Sequence, residues 1–74
     1  MTDMTTLGLY FAKKLINRAE LSRKTGITPN RMYNLVENEN SEIRGKEVHL
    51  IALALEIEPN QLHEILFGNV KLPK

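Results

Sequence analysis

The sequence predicts an all-α fold, a compact arrangement of five short helices, and three observations carry that reading. Apolar residues recur at helical spacing, as Val48, Ile51, Ala52 and Leu55 do at i, i+3, i+4 and i+7. A helix-start signal is written three times in nearly the same grammar, around Asn17, Thr28 and Pro59. Strand signals are confined to the run LGLYFA, where the adjoining lysines, the leucines and the lack of a β-branched partner segment favour helix.

Taken in order, Met1 to Asp3 are expected to fray, and Thr5 or Thr6 caps a first helix running to about Leu15. Asn17 is the next N-cap, with Glu20 at the capping-box position and Ile16 spaced from Leu21 as a hydrophobic staple, so a second helix begins at Arg18. Gly26 can take the left-handed conformation that stops it. Thr28 then caps a third helix that opens on Pro29, where a missing N–H costs nothing, and Ile27 with Met32 repeats the staple. ENENSEIRG is a polar loop in which Asn38 or Asn40 is expected as a left-handed cap. The fourth helix runs from about Gly45 or Lys46 to Leu55, and the fifth from about Pro59 to Phe67, stapled by Ile57 and Leu62 and stopped by Gly68. The whole of 1–74 reads as one domain, with flexible ends at 1–4 and 69–74.

Seventy-four residues are near the lower size at which one core holds unaided, so oligomerisation is a plausible source of added stability. The chain has no cysteine, which excludes disulfides and thiolate chemistry and fits a reducing compartment, with the cytoplasm as the default. No apolar run approaches the ~20 residues of a membrane span, and the first residues lack a signal-peptide pattern. The net charge of +1 says little, but its distribution is uneven. Residues 1–36 hold six basic and two acidic groups for +4, and residues 37–74 hold four basic and seven acidic groups for −3. Such a dipolar chain can turn one end toward a polyanion and leave the other for a partner, and an ordinary solvated surface accounts for the charges equally well.

The third helix decides which side chains are offered. On a wheel of about 100 degrees per residue, Met32, Leu35 and Val36 form the buried side. Asn30, Asn34 and Glu37 lie opposite, with Tyr33 and Arg31 on the two flanks. Asparagine is a poor helix-interior residue, so two of them four apart on an outer face are not explained by propensity. Their amides donate and accept together, which suits the edge of adenine in a major groove. Tyr33 offers a hydroxyl for phosphate or base, or a ring for a thymine methyl, and Arg31 reaches phosphate or guanine. Any surface helix also shows polar residues opposite its core face, and it is the preceding glycine turn that favours the DNA reading, because it projects the start of the third helix outward.

NRAELSRKTGITPNRMYNLVEN, followed by IALALEIEPNQL, resembles the Cro/C1-type (Xre) helix-turn-helix family that includes the lambda-type phage repressors. The resemblance covers roughly Leu7 to Phe67 and rests on Glu20, Leu21, Gly26, Ile27, Thr28, Met32, Leu35, Ile51, Ala52, Ala54, Leu55, Ile57 and Leu62. It implies a helix-turn-helix over about 18–37 and a recognition helix over about 29–37. It further implies that Arg18 stands where relatives usually carry a glutamine touching the DNA backbone or a base. Thr28, Pro29, Asn30, Arg31, Tyr33 and Asn34 fall on recognition-helix positions, and Arg44 on a backbone-contacting position.

The chain departs from the family pattern in three places. Phe11 and Val36 replace a partly buried arginine and glutamate, filling that space without ionic desolvation. Leu15 and Ile16 stand where a glycine is common before the second helix. Glu37, Glu39 and Glu42 occupy a loop that is often basic in relatives, which lowers the expected affinity for phosphate.

No enzyme is expected: the serines and threonines have no nucleophile elbow, there is no glycine-rich phosphate loop, and no cofactor is implied. His49 and His63 are too far apart for a ligand pair within one helix, so no metal is expected. Phe67, Val70 and Leu72 form an apolar edge suited to core cover or a dimer contact. The expected function is a sequence-specific regulator, repressor-like, with double-stranded DNA as partner, acting as a homodimer away from membranes. Two alternatives stand beside it: an antitoxin that represses its own operon while holding a toxin, and a helix-turn-helix scaffold used only for protein contact.

Overall fold

The computed structural model describes residues 5–38 and 40–72. Among them are five helices in chain order: α1 (Thr6–Lys13), α2 (Arg18–Thr25), α3 (Pro29–Glu37), α4 (Gly45–Leu55) and α5 (Pro59–Phe67). The frayed start expected at Met1 to Asp3 and the last two residues of the tail lie outside the described residues.

The start signals at Asn17 and Thr28 work through their side-chain oxygens, while the Glu20 carboxylate expected to complete a capping box pairs with Arg23 and α5 opens on Pro59 without a side-chain cap bond. The Asn17 side chain accepts from the Glu20 N–H at 3.1 Å and opens α2. The Thr28 hydroxyl accepts from the Arg31 N–H at 3.2 Å and opens α3 with Pro29 in its first turn. Each satisfies one of the donors that a helix N-terminus leaves free. Gly26 stops α2 at φ +81, a left-handed conformation that glycine adopts without the Cβ penalty. Two threonine and serine hydroxyls then stiffen the turn. Thr25 Oγ1 accepts from the Ile27 N–H, and the buried Ser22 hydroxyl donates to the Ile27 carbonyl.

α1 is shorter than the expected run to Leu15. It ends at Lys13, and Leu15 itself sits at φ +57 and is 90% exposed. That left-handed residue makes the reversal into α2, so the position where a glycine is common keeps glycine's conformation with a leucine in it. A left-handed cap was also expected at Asn38 or Asn40, and at Asn38 the backbone differs. Asn38 is extended at φ −113, and the non-glycine residues with positive φ among those described are Leu15 and Glu56. The end of α3 needs no such cap because Thr5 supplies the partners. Its N–H donates to the Val36 carbonyl at 2.9 Å, and its hydroxyl lies 2.7 Å from the Leu35 carbonyl and 2.9 Å from that of Val36. The same hydroxyl accepts from the Gly8 N–H at 3.0 Å, so one side chain serves the start of α1 and the end of α3.

The core draws on every helix. Leu7 and Phe11 of α1, Leu21 of α2, Met32, Leu35 and Val36 of α3, Val48, Ile51 and Ala52 of α4 and Leu62 of α5 are all buried, with Ile27 from the turn. α1 packs on α3, α4 on α5, and α2 on both α3 and α4. Phe11 and Val36 are almost wholly buried and apolar, so the expected replacement of an ionic pair by hydrocarbon is built into the centre of the molecule. Gly68 ends α5 in a right-handed conformation, and its missing Cβ has a different use from the turn at Gly26. A Cβ there would press on the Glu64 carbonyl oxygen, which accepts the Gly68 N–H at 2.7 Å.

Candidate nucleic-acid interface

α3 presents its first two turns outward. Thr28, Pro29 and Asn30 are exposed, Tyr33 is exposed, and Asn34 and Glu37 are half-buried. Asn30 and Tyr33 are therefore the most outward side chains of α3, with Asn34 and Glu37 set back beside them. Pro29 and Tyr33 share a shallow notch with Arg18 and Ala19 at the start of α2. The fold thus places Arg18, Pro29, Tyr33 and Asn30 on one side of the helix-turn-helix.

The arginines differ in how they are held. Arg18 Nη1 lies 3.5 Å from Glu37 Oε2, and its side chain is 43% exposed. A long, half-exposed ion pair of this kind contributes roughly 0–1 kcal/mol, so a phosphate can displace the carboxylate. Arg31 is fixed far more firmly. Its Nε donates to Glu47 Oε2 at 2.7 Å, one Nη donates to Glu47 Oε1 at 2.8 Å, and the same Nη reaches the Glu42 carbonyl at 2.8 Å. This is a two-bond, fork-to-carboxylate pair in which the Arg31 side chain is 28% exposed and that of Glu47 only 10%. Arg31 was expected on the flank of α3 reaching for phosphate. In the folded chain its guanidinium points across to α4 and gives its Nε and one Nη to the protein.

Glu47 carries a third hydrogen bond. Its Oε1 accepts the Arg44 backbone N–H at 2.8 Å, the reciprocal half of a capping box at the start of α4. The Arg31 guanidinium and the Arg44 N–H hold the Glu47 carboxyl below the usual carboxylate range, against a smaller opposing effect of burial. Arg44 itself is exposed at the N-cap of α4. The eight expected contact residues therefore fall into two groups. Arg18, Thr28, Pro29, Asn30, Tyr33 and Asn34 gather around the starts of α2 and α3. Arg31 and Arg44 meet at Glu47, on the α4 side.

Glu47 is the residue the sequence did not place at the site, whereas Glu37 and Glu42 were expected there only as acidic neighbours that repel phosphate. Glu47 had a local signal, since it lies three residues after the helix start at Arg44. Its partner Arg31 is sixteen residues away, and no helical spacing links them. His49 and His63, far apart in sequence, line one groove between α4 and α5, where the His63 and Phe67 rings are tilted at 5.0 Å. Among the described residues no three metal-ligating side chains come together, and no helix is long and apolar enough to cross a membrane.

Two capped helices joined by a three-residue glycine turn, the second offering its N-terminal half to solvent, define a helix-turn-helix module of the kind that docks on duplex DNA. The family model of the Cro/C1-type HTH DNA-binding domain matches residues 7–67, and the chain belongs to that family. No curated protein and no solved structure matches it.

Proposed function

We propose that the chain is a sequence-specific regulator of transcription, acting as a repressor, with α3 entering the major groove. Asn30, Asn34 and Tyr33 read base edges, with Thr28 and Pro29 framing the start of the helix. Arg18 and Arg44 take backbone phosphates on either side. The observation that carries the reading is the outward N-terminal half of α3, where Asn30 and Tyr33 are exposed beside an Arg18 held only by a long contact to Glu37.

The regulator works as a homodimer on a pseudopalindrome with half-sites about one helical turn apart, because one module of this size covers little DNA. Exposed Leu53, Val70 and Leu72, with Phe67 at the margin, supply apolar surface for a second copy at the α4, α5 and tail end.

Selection of bound sequences from a random duplex pool tests this directly. Enrichment of a two-fold symmetric site is expected, with retention falling steeply as salt rises. Failure to retain any duplex at low salt would sink the proposal and leave the face for protein contact.

A further inference from the structure

We infer that Arg31 is a positioning residue rather than a reader, and that Glu47 is the residue through which it acts. This rests on the regulator reading above and assigns its parts. Asn30 and Arg31 are neighbours on α3, so the direction in which Arg31 is pulled helps fix how Asn30 is presented. Arg31 is pulled onto Glu47 by two hydrogen bonds and onto the Glu42 carbonyl by a third. Glu47 in turn holds the Arg44 backbone N–H at 2.8 Å.

One carboxylate thus joins the base-reading helix to the residue that takes phosphate. Phosphate contacts set the register of a reader on its duplex, and that register is useful only if the distance from Arg44 to Asn30 is constant. Arg31 and Glu47 hold that distance. The geometry also states the cost of substitution by lysine, which keeps the charge and loses the planar fork that makes two bonds to Glu47 at once.

The two possible roles of Arg31 predict opposite signs for one variant. If Glu47 merely masked an arginine that contacts DNA, Glu47→Gln would free it and tighten binding. If Glu47 is the anchor, Glu47→Gln weakens binding even though it removes a negative charge. The full chain and its Arg31→Met, Arg31→Lys, Glu47→Gln and Arg31→Met/Glu47→Gln variants are titrated with the duplex selected above, well below every variant's melting temperature. Each single change is expected to weaken binding about tenfold, and the double change no further than Arg31→Met alone, as for directly coupled residues. Tighter or unchanged binding in Glu47→Gln, or losses that add in the double variant, would overturn the assignment.

A second arm needs no DNA. Hydrogen exchange at the Arg44 amide is expected to quicken about tenfold in Arg31→Met while the Leu62 amide in α5 stays protected, which separates a local release from global destabilisation. An unchanged Arg44 rate overturns the clamp. If the unaltered chain retains no duplex, the regulator reading fails, and the exchange arm still decides whether Arg31 holds this segment in place.

Discussion

Arg18, the first residue of α2, and Glu37, the last of α3, face each other across the helix-turn-helix with Arg18 Nη1 3.5 Å from Glu37 Oε2. On the proposed reading, in which Arg18 takes a backbone phosphate, this carboxylate competes for it, at the C-terminal end of a helix whose dipole already disfavours a negative charge. Glu37→Gln is therefore expected to bind every duplex more tightly, about three- to tenfold, and to steepen the salt dependence by roughly one phosphate contact. Arg18→Ala is expected to do the reverse on specific and random duplexes alike. Titrations at several salt concentrations read both. Equal behaviour of Glu37→Gln and the unaltered chain would mean that Arg18 is not in the phosphate path.

Base reading predicts a different pattern. Asn30→Ala and Asn34→Ala are expected to cost about 1–3 kcal/mol on the selected site, to relax one base position each, and to leave binding to random duplex nearly unchanged. Uniform losses across sequences would move these side chains from base reading to backbone contact.

The Glu47 carboxyl gives the fold an acid-sensitive point. Its folded-state pKa lies below the ordinary value near 4.3 because Arg31 and the Arg44 N–H favour the charged form. A carboxylate depressed on folding contributes stability above its unfolded pKa, and that contribution is lost as the pH falls through the folded value. As the pH falls below the ordinary carboxylate range the unaltered chain is expected to lose more stability than Glu47→Gln, which has no carboxyl to protonate there. Denaturant melts at stepped pH measure the difference. Glu20 is lowered in the same sense by Arg23, but that pair is exposed and adds little to the acid response.

Leu15 carries a conformational cost with little return from burial. It holds φ +57 with a side chain that is 90% exposed. Leu15→Gly is expected to stabilise the chain by about 1 kcal/mol, since a left-handed non-glycine residue costs roughly 1–2 kcal/mol and glycine's looser unfolded chain takes part of that back. A melting temperature higher by about 4–8 °C is the corresponding readout. A lower one would show that the leucine side chain contributes more than its backbone costs.

Thr5 joins two helix ends through one hydroxyl. Thr5→Val keeps the shape and the backbone bond to Val36 but removes the acceptor for the Gly8 N–H and the donor to the α3 carbonyls. A loss of about 1–2 kcal/mol is expected in chemical denaturation, with Thr5→Ser retaining most of the stability. A Thr5→Val variant as stable as the unaltered chain would remove the hydroxyl from this account.

Much of the fold was legible in the chain because its signals are local. An asparagine or threonine followed three residues later by the N–H it caps, a proline in the first turn, or a glycine at a left-handed stop acts within one turn of helix, and α2 and α3 start where Asn17 and Thr28 place them. The apolar stripes were equally readable, and Met32, Leu35 and Val36 are buried as the wheel required. The expectations that differed turn either on a partner far away in the chain, as for Asn38 and for Arg31 held by Glu47, or on a backbone conformation with no local signal. Asn38 takes no left-handed cap because Thr5, over thirty residues earlier, satisfies the carbonyls before it. The reversal after α1 falls on Leu15, a residue that does not advertise a left-handed conformation.

The sequence by itself determined five helices, the N-caps of α2 and α3, the glycine stop of α2, the buried face of α3 and the set of side chains offered at its start, because periodicity and capping are properties of neighbouring residues. Only the tertiary structure decided what the charged groups do there. Arg18 and Arg31 look alike in the chain, yet one meets Glu37 at 3.5 Å and half in solvent, while the other is gripped by Glu47 at 2.7 and 2.8 Å. The difference between a cation that a phosphate can take and one the protein keeps lies in distance, burial and bond number, and those are fixed when α2, α3 and α4 pack together.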